Sequence, residues 1–337
     1  MKKVLLVLNA IVIALSFAAC SHAPERPDWL SADTAKYDNS RYLLGRGEAP
    51  TLEQAKDRAR SDIAKIFQVA VNETSEDVRT VESRSQGGAS ASDSAARVSR
   101  SLQTHTDQVI EGVRIAETWH DPQSGDYYAL AVLSRSQAAA SLRQEISQLD
   151  EATRRHLDRA RSADDLLDKI AAAQNALEAQ QARAAYQKTL TVVDRSGQGM
   201  PSEWSTARLG ADLQDLRQRV QVAVQVPGDA PPALGAIVGG ALAEGGYVTV
   251  AESKANFLLA VQTELNDPVV REGWYWVTGR VQAQLRNAHD QRVRGTRSWP
   301  IKASAQDAAM ARQRAWDEVG AVLKKQLVGG FAVFSDK

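Results

Sequence analysis

The chain has one cysteine, Cys20, and it closes an almost unbroken apolar run from Val4 to Ala19. Met1-Lys2-Lys3 ahead of that run, with small residues before the cysteine, gives the layout of a secretory signal too short to span a bilayer. Cleavage after residue 19 leaves 318 of the 337 residues. A chain with a single thiol can close no internal disulfide and build no cysteine metal site, so an exported chain of this kind must hold together by burying apolar surface. Its length is enough for about two domains of ~150 residues, each with its own core.

Phe17-Ala18-Ala19-Cys20 resembles the bacterial lipobox, with Phe17 where leucine is usual. The resemblance implies that Cys20 is the lipid-anchor residue, with small side chains admitted by the signal peptidase and a thiol to receive the lipid. No apolar run beyond residue 20 reaches the length of a membrane span, so anchoring falls to acyl chains such as palmitate, at about 0.8 kcal/mol per buried methylene. By resemblance to sorted lipoproteins, Ser21 after the cysteine points to the outer membrane, and the periplasmic face is expected over the surface. The precursor balances 41 basic against 41 acidic residues, and loss of Lys2 and Lys3 leaves a net charge of −2. No single-signed field draws in nucleic acid, which is excluded as a partner.

Residues 20–28 form a lipidated tether, and 29–145 a first module. In that module Tyr42 to Gly45 reads as a strand. Thr51 with Gln54 makes a capping box for a helix whose Leu52, Ala55, Ala59, Ile63, Ile66, Phe67 and Ala70 share one face. The serine-rich stretch 73–106 reads as a mobile loop. Val113, Ile115 and Trp119 alternate along a strand, and Tyr127 to Leu133, apolar on both faces, is expected to be central in its sheet. Residues 146–219, rich in Ala, Gln, Leu, Arg and Glu, form a helical spacer. The C-terminal module, 220–337, runs strand, helix, antiparallel strands, helix, as the first does. Its helix Ala233 to Glu244 stops at Gly245-Gly246, and Ser304 with Asp307 opens the last helix. The expected class is therefore α+β: two strand-helix-antiparallel-strands-helix modules joined by helices.

Chemical motifs are sparse. His22, His105, His120, His156 and His289 are scattered, with none of the close pairs that zinc sites show, so neither a metal nor a cofactor is expected. Gly45-Arg46-Gly47 lacks the third glycine of a dinucleotide loop and reads as a tight strand-to-helix connection. Gly235 and Gly239 have a small-xxx-small spacing that reads as close packing on a sheet, with self-association as the alternative. Trp274-Tyr275-Trp276 and Trp299 form the one aromatic concentration. Alternation puts Trp274 and Trp276 on one strand face and Tyr275 on the other, which makes Trp274, Trp276 and Trp299 the candidate partner-contact residues. Glu264, Asp267 and Glu272 lie nearby, but carboxylates beside tryptophans do not by themselves make a glycosidase.

Three pieces of the first module, Pro27-Asp28-Trp29-Leu30, Gly45-Arg46-Gly47-Glu48-Ala49 with the helix after it, and Ile110 to Val113 through Glu117-Thr118-Trp119 and Tyr127 to Leu133, resemble the Lpp-twenty family of outer-membrane lipoproteins over about residues 27–145. The resemblance implies a lipoprotein facing the periplasm or surface, with relatives in flagellar and motility structures, and it carries over no catalytic residue. The expected function is non-enzymatic: binding and assembly within an envelope complex, with envelope proteins or a second copy of the chain as partners. A regulator that binds peptidoglycan or a cell-wall synthase is the alternative, and an envelope hydrolase the remote one.

Overall fold

The computed structural model describes residues 26–31, 36–67, 112–328 and 331. Cys20, the serine-rich stretch 73–106, His22 and His105 lie outside the described residues. The class is α+β, and the chain divides into two compact units. The first holds 1–66 and 108–138, and the second 67–107 and 139–337.

In the first unit, β1 (Tyr42–Ala49), β2 (Arg114–His120) and β3 (Tyr127–Ser134) form an antiparallel sheet in the order β1-β3-β2. The doubly apolar β3 is the central strand, where both faces must be covered. Helix α1, over 52–67, begins where the Thr51 hydroxyl accepts from the Gln54 N–H at 3.4 Å and buries Ala55, Ala59, Ile63 and Phe67.

Gly45 and Gly47 are not a connection between strand and helix: both lie inside β1, opposite Ala131 and Ala129. A Cβ at Gly47 would stand 2.1 Å from the Ala55 carbonyl oxygen, and one at Gly45 2.3 Å from that of Ala59. The two glycines and two alanines make a floor without side-chain bulk, and the helix backbone lies directly on it. Their role is close approach rather than turning.

The opposite face of the sheet is closed by Trp29, on the short 3-10 helix Asp28–Leu30, and by Tyr37, which pack with Leu130 and Val132. Arg46 Nε donates to the Trp29 carbonyl at 2.8 Å and pins that segment. A β-bulge between Ile115 and Glu117 changes the phase of β2. Ile115 consequently pairs with Ala131, while Trp119 pairs with Tyr128 and packs into the Trp29 cluster. The uniform alternation expected of Val113, Ile115 and Trp119 fails at that inserted residue.

In the second unit, α2 (Arg135–Ser162) carries on from its first turn in the first unit. α3 (Leu166–Val193) is capped by Asp165, whose side chain accepts from the N–H groups of Leu167 and Asp168. α4 (Thr206–Gln218) is capped by Ser205. Buried Arg183 of α3 donates to Asp150 of α2 at 2.8 Å and to the carbonyls of Met200 and Pro201 at 3.2 and 2.7 Å. Leu167, Ile170, Ala173 and Leu177 of α3, with Leu209 and Leu213 of α4, enter the same core as the C-terminal strands. The helices read as a spacer are thus built into that core.

The six-stranded sheet contains β4 (Gln221–Gln225), β5 (Val248–Thr249), β6 (Phe257–Leu265), β7 (Val269–Arg271), β8 (Trp274–Asn287) and β9 (Val293–Ala305). Its order is β5-β4-β6-β8-β7, and β9 pairs with the other edge of β8. β4 runs parallel to β5 and β6, and the remaining pairs are antiparallel. α5 (Ala233–Glu244) and α6 (Ala308–Val328) supply Leu234, Val238, Ala241 and Leu242, and Ala311, Ala315, Val319, Leu323 and Leu327, to the core beneath Val277, Val281, Ala283 and Leu285 of β8. Asp307 caps α6 by accepting from the Met310 N–H at 2.8 Å, whereas Ser304 belongs to β9.

Of the two glycines of α5 read as packing on the sheet, only Gly239 comes within contact of it. A Cβ added at Gly235 would meet nothing within 4 Å, and one at Gly239 only the Thr249 Cγ2 at 3.8 Å. The larger apolar residues at helical spacing take the inward face, and Gly235 and Gly239 flank it, lining a cleft with Val224, Thr249 and Val250 at the sheet's edge.

Candidate functional site

The far face of β8 carries the aromatic pair. Register places Val269 opposite Trp276 and Arg271 opposite Trp274 across the β7–β8 hairpin, and Thr278 opposite Lys302 and Trp276 opposite Ser304 across β8–β9. Directly paired residues share a face, so Val269, Arg271, Trp274, Trp276, Thr278, Lys302 and Ser304 lie together on one side of the sheet. Tyr275 points the other way and packs against the core. Trp299 pairs with buried Val281 and packs against that same core. The structure therefore brings two of the three candidate tryptophans together and sends Trp299 to the opposite face.

The hairpin tip is uncovered on both sides. Trp274 is 42% exposed, Val269 53% and Val270, on the Tyr275 side, 57%. Its two-residue turn, Glu272-Gly273, has φ of 53° and 79°, the left-handed pair of a type I′ hairpin turn. Such turns favour Asn-Gly, since a glutamate Cβ is disfavoured at positive φ.

Beside Trp276, Val269, Arg271, Glu272, Thr278 and Lys302 line a cleft of about 230 Å³. Lys302 Nζ stands 4.8 Å from the centroid of the Trp276 ring, a cation–π distance. Neither Arg271 nor Lys302 is in an ion pair among the described residues, whereas neighbouring Arg280 pairs with Glu264 at 2.6 Å and Arg312 pairs with Asp267. The cleft thus offers an aromatic wall, two cations outside any ion pair among the described residues, a hydroxyl and one carboxylate, a set suited to holding an anionic group against an apolar surface.

Sequence reading found the two tryptophans but missed Val269, Arg271, Thr278 and Lys302. The missed signal was Glu272-Gly273: a two-residue turn there fixes Arg271 against Trp274 and Val269 against Trp276.

Among the described residues no group of three or more His, Cys, Asp or Glu is placed to hold a metal ion. No described helix is long and apolar enough to cross a membrane. His120 stacks at 4.5 Å from the Tyr127 ring. Burial, with Arg159 and Arg155 nearby, pushes the His156 imidazole below its ordinary value.

Residues 27–134, about a third of the chain, match the family model described as LPP20 lipoprotein. The match bears out the resemblance of the N-terminal module. It covers the first unit's sheet and α1, and its Gly45-Arg46-Gly47 is the floor on which that helix lies.

No curated protein matches the chain. Among solved structures, the secreted protein HP1454 of Helicobacter pylori is 15% identical, with 85% of this chain and 97% of that chain covered and a TM-score of 0.38. A minor lipoprotein of Acinetobacter baumannii is 11% identical over 32% of this chain and 90% of its own, with a TM-score of 0.27. The PelC dodecamer of Paraburkholderia phytofirmans is 15% identical over 32% and 87%, with a TM-score of 0.24.

Proposed function

We propose that the protein is a non-enzymatic lipoprotein of the bacterial outer membrane, anchored through acyl chains on Cys20, that acts as a binding and assembly component of an envelope complex. The observation that carries this reading is the uncovered β7–β8 hairpin: Val269, Val270 and Trp274 exposed at its tip, with Trp276 and Lys302 in a cleft beside them. Large apolar side chains grouped in the open mark contact surfaces, and tryptophan and arginine are the residues that most often dominate contact energy.

Flagellar and motility complexes are the leading setting, by the N-terminal resemblance. The alternative, a regulator that touches peptidoglycan or a cell-wall synthase, draws on the same face. The test is a crosslinked, detergent-solubilised pull-down from envelopes, comparing the parent protein with Trp274→Ala/Trp276→Leu. Stoichiometric ring or pore subunits lost in the variant support the assembly reading, and a synthase lost instead favours the regulator. Identical recovery from both proteins removes this face from the contact.

Anchoring has its own test. Cys20→Ala is expected to leave the fold intact and to release the protein from membranes on fractionation. Retention in the membrane pellet would contradict the lipid anchor.

A further inference from the structure

We infer that the cleft beside Trp276 takes a sugar unit bearing a carboxylate, as part of an acidic glycan; this rests on reading the Trp274–Trp276 face as a contact surface. Each lining group has a counterpart in such a ligand. Arg271 and Lys302 donate to the carboxylate, and both are exposed with no acidic partner among the described residues. Lys302 is already held over the Trp276 ring at 4.8 Å, so its charge is positioned before a ligand arrives. Val269 and the part of Trp276 that Lys302 leaves uncovered form the apolar wall against which C–H groups of a pyranose ring pack. Thr278 and Glu272 remain to exchange hydrogen bonds with ring hydroxyls. At about 230 Å³ the cleft is smaller than the ~300–1,000 Å³ of sites for drug-sized molecules, which fits one ring of a longer chain. The strand face beyond it continues with exposed Ser298 and Thr296.

Glu272 separates this ligand class from an acidic polypeptide. An acidic side chain of a polypeptide offers Glu272 only a second carboxylate, whereas each unit of an acidic glycan also presents hydroxyls that donate to it. The position argues for a use beyond the turn itself. Glu272 sits at φ 53°, where asparagine or glycine would cost less. Gln291, the other non-glycine residue at positive φ among those described, donates its side-chain amide to the Ala288 carbonyl at 2.9 Å. The Glu272 side chain makes no comparable bond among the described residues, so its strained backbone holds a carboxylate at the cleft without local return.

The experiment is titration calorimetry of the full, detergent-solubilised chain with fragments of polygalacturonate and of hyaluronan, with the methyl ester of the former, and with oligoglutamate of matched charge. Binding of at least one acidic fragment is expected, with the ester and oligoglutamate each weaker by about tenfold or more. Lys302→Gln and Trp276→Leu are each expected to weaken binding by about tenfold, and Glu272→Gln to weaken it as well. Their urea midpoints serve as the check that these surface variants stay folded. Equal binding of oligoglutamate, or tighter binding by Glu272→Gln, would overturn the proposal in favour of simple anion attraction. Failure of both acidic fragments to bind would overturn the ligand class. In that event the contact surface itself stands if Trp274→Ala/Trp276→Leu still abolishes envelope crosslinks, and falls if it does not.

Discussion

The two sheets of this protein treat tryptophan in opposite ways. In the first unit the three-stranded sheet is closed on both faces, by α1 lying on Gly45 and Gly47 and by Trp29 and Tyr37 on the other side. In the second unit α5 and α6 cover one face of β8, Trp299 packs against that side, and Trp274 and Trp276 are left on the other. The difference teaches that an aromatic cluster in a sequence is structural or functional according to what lies over its face. In the first unit the covering pieces are the residues just before β1 and the helix just after it. At the β7–β8 tip of the second unit, exposed valines on both faces show that no described element covers it.

Substitutions can break this contrast, and the largest effect is expected at the glycine floor. Gly47→Val places side-chain atoms where even a Cβ would stand 2.1 Å from the Ala55 carbonyl oxygen, a backbone atom that cannot swing aside. The expected cost is about 3 kcal/mol or more. Hydrogen exchange should show loss of protection over 42–49 and 127–134, with the second unit's strands unchanged. Trp29→Ala follows at about 3–4 kcal/mol, because a buried indole leaves a cavity over Leu130 and Val132. A urea titration would register it as a lower midpoint for the first unit.

Trp274→Ala sharpens the comparison from the other side. A residue already 42% exposed should cost only about 1 kcal/mol of stability, yet its loss should remove partner crosslinks. A destabilisation as large as that of Trp29→Ala would show that something covers Trp274 in the folded protein.

The smallest effect concerns the polar rim of the closed sheet. The Lys36 ammonium, helped by the Tyr37 hydroxyl and opposed by partial burial, holds the Glu117 carboxyl below its ordinary value. A carboxyl depressed in the folded state adds stability that is present above its unfolded pKa and lost as the pH falls through the folded one. Glu117→Gln should therefore lower the first unit's midpoint slightly at neutral pH. Midpoints taken at successive pH values should converge with the parent's on the acid side. A constant gap would assign the effect to packing.

Much of this contrast was legible in the sequence where period alone decides. The faces of β8, the bounds of α5 and the central place of β3 follow from alternation or helical spacing over one element. What was not legible needed two elements at once. Gly45 and Gly47 could not be read as a helix floor, because close approach is a property of the packed pair. Trp119 changed faces through a single inserted residue in β2. Trp299 parted from Trp274 because its side depends on the β8–β9 register, and the cleft residues Arg271, Thr278 and Lys302 come from three strands that only pairing brings together.

The most direct test is to install a benzophenone photo-crosslinker in place of Trp274 and, separately, in place of Thr118, an exposed residue of the closed sheet. Irradiation of envelopes is expected to give a discrete adduct from position 274 and none from 118. Absence of an adduct at 274, or the same adduct from both positions, would contradict the assignment of the open β8 face as the contact surface.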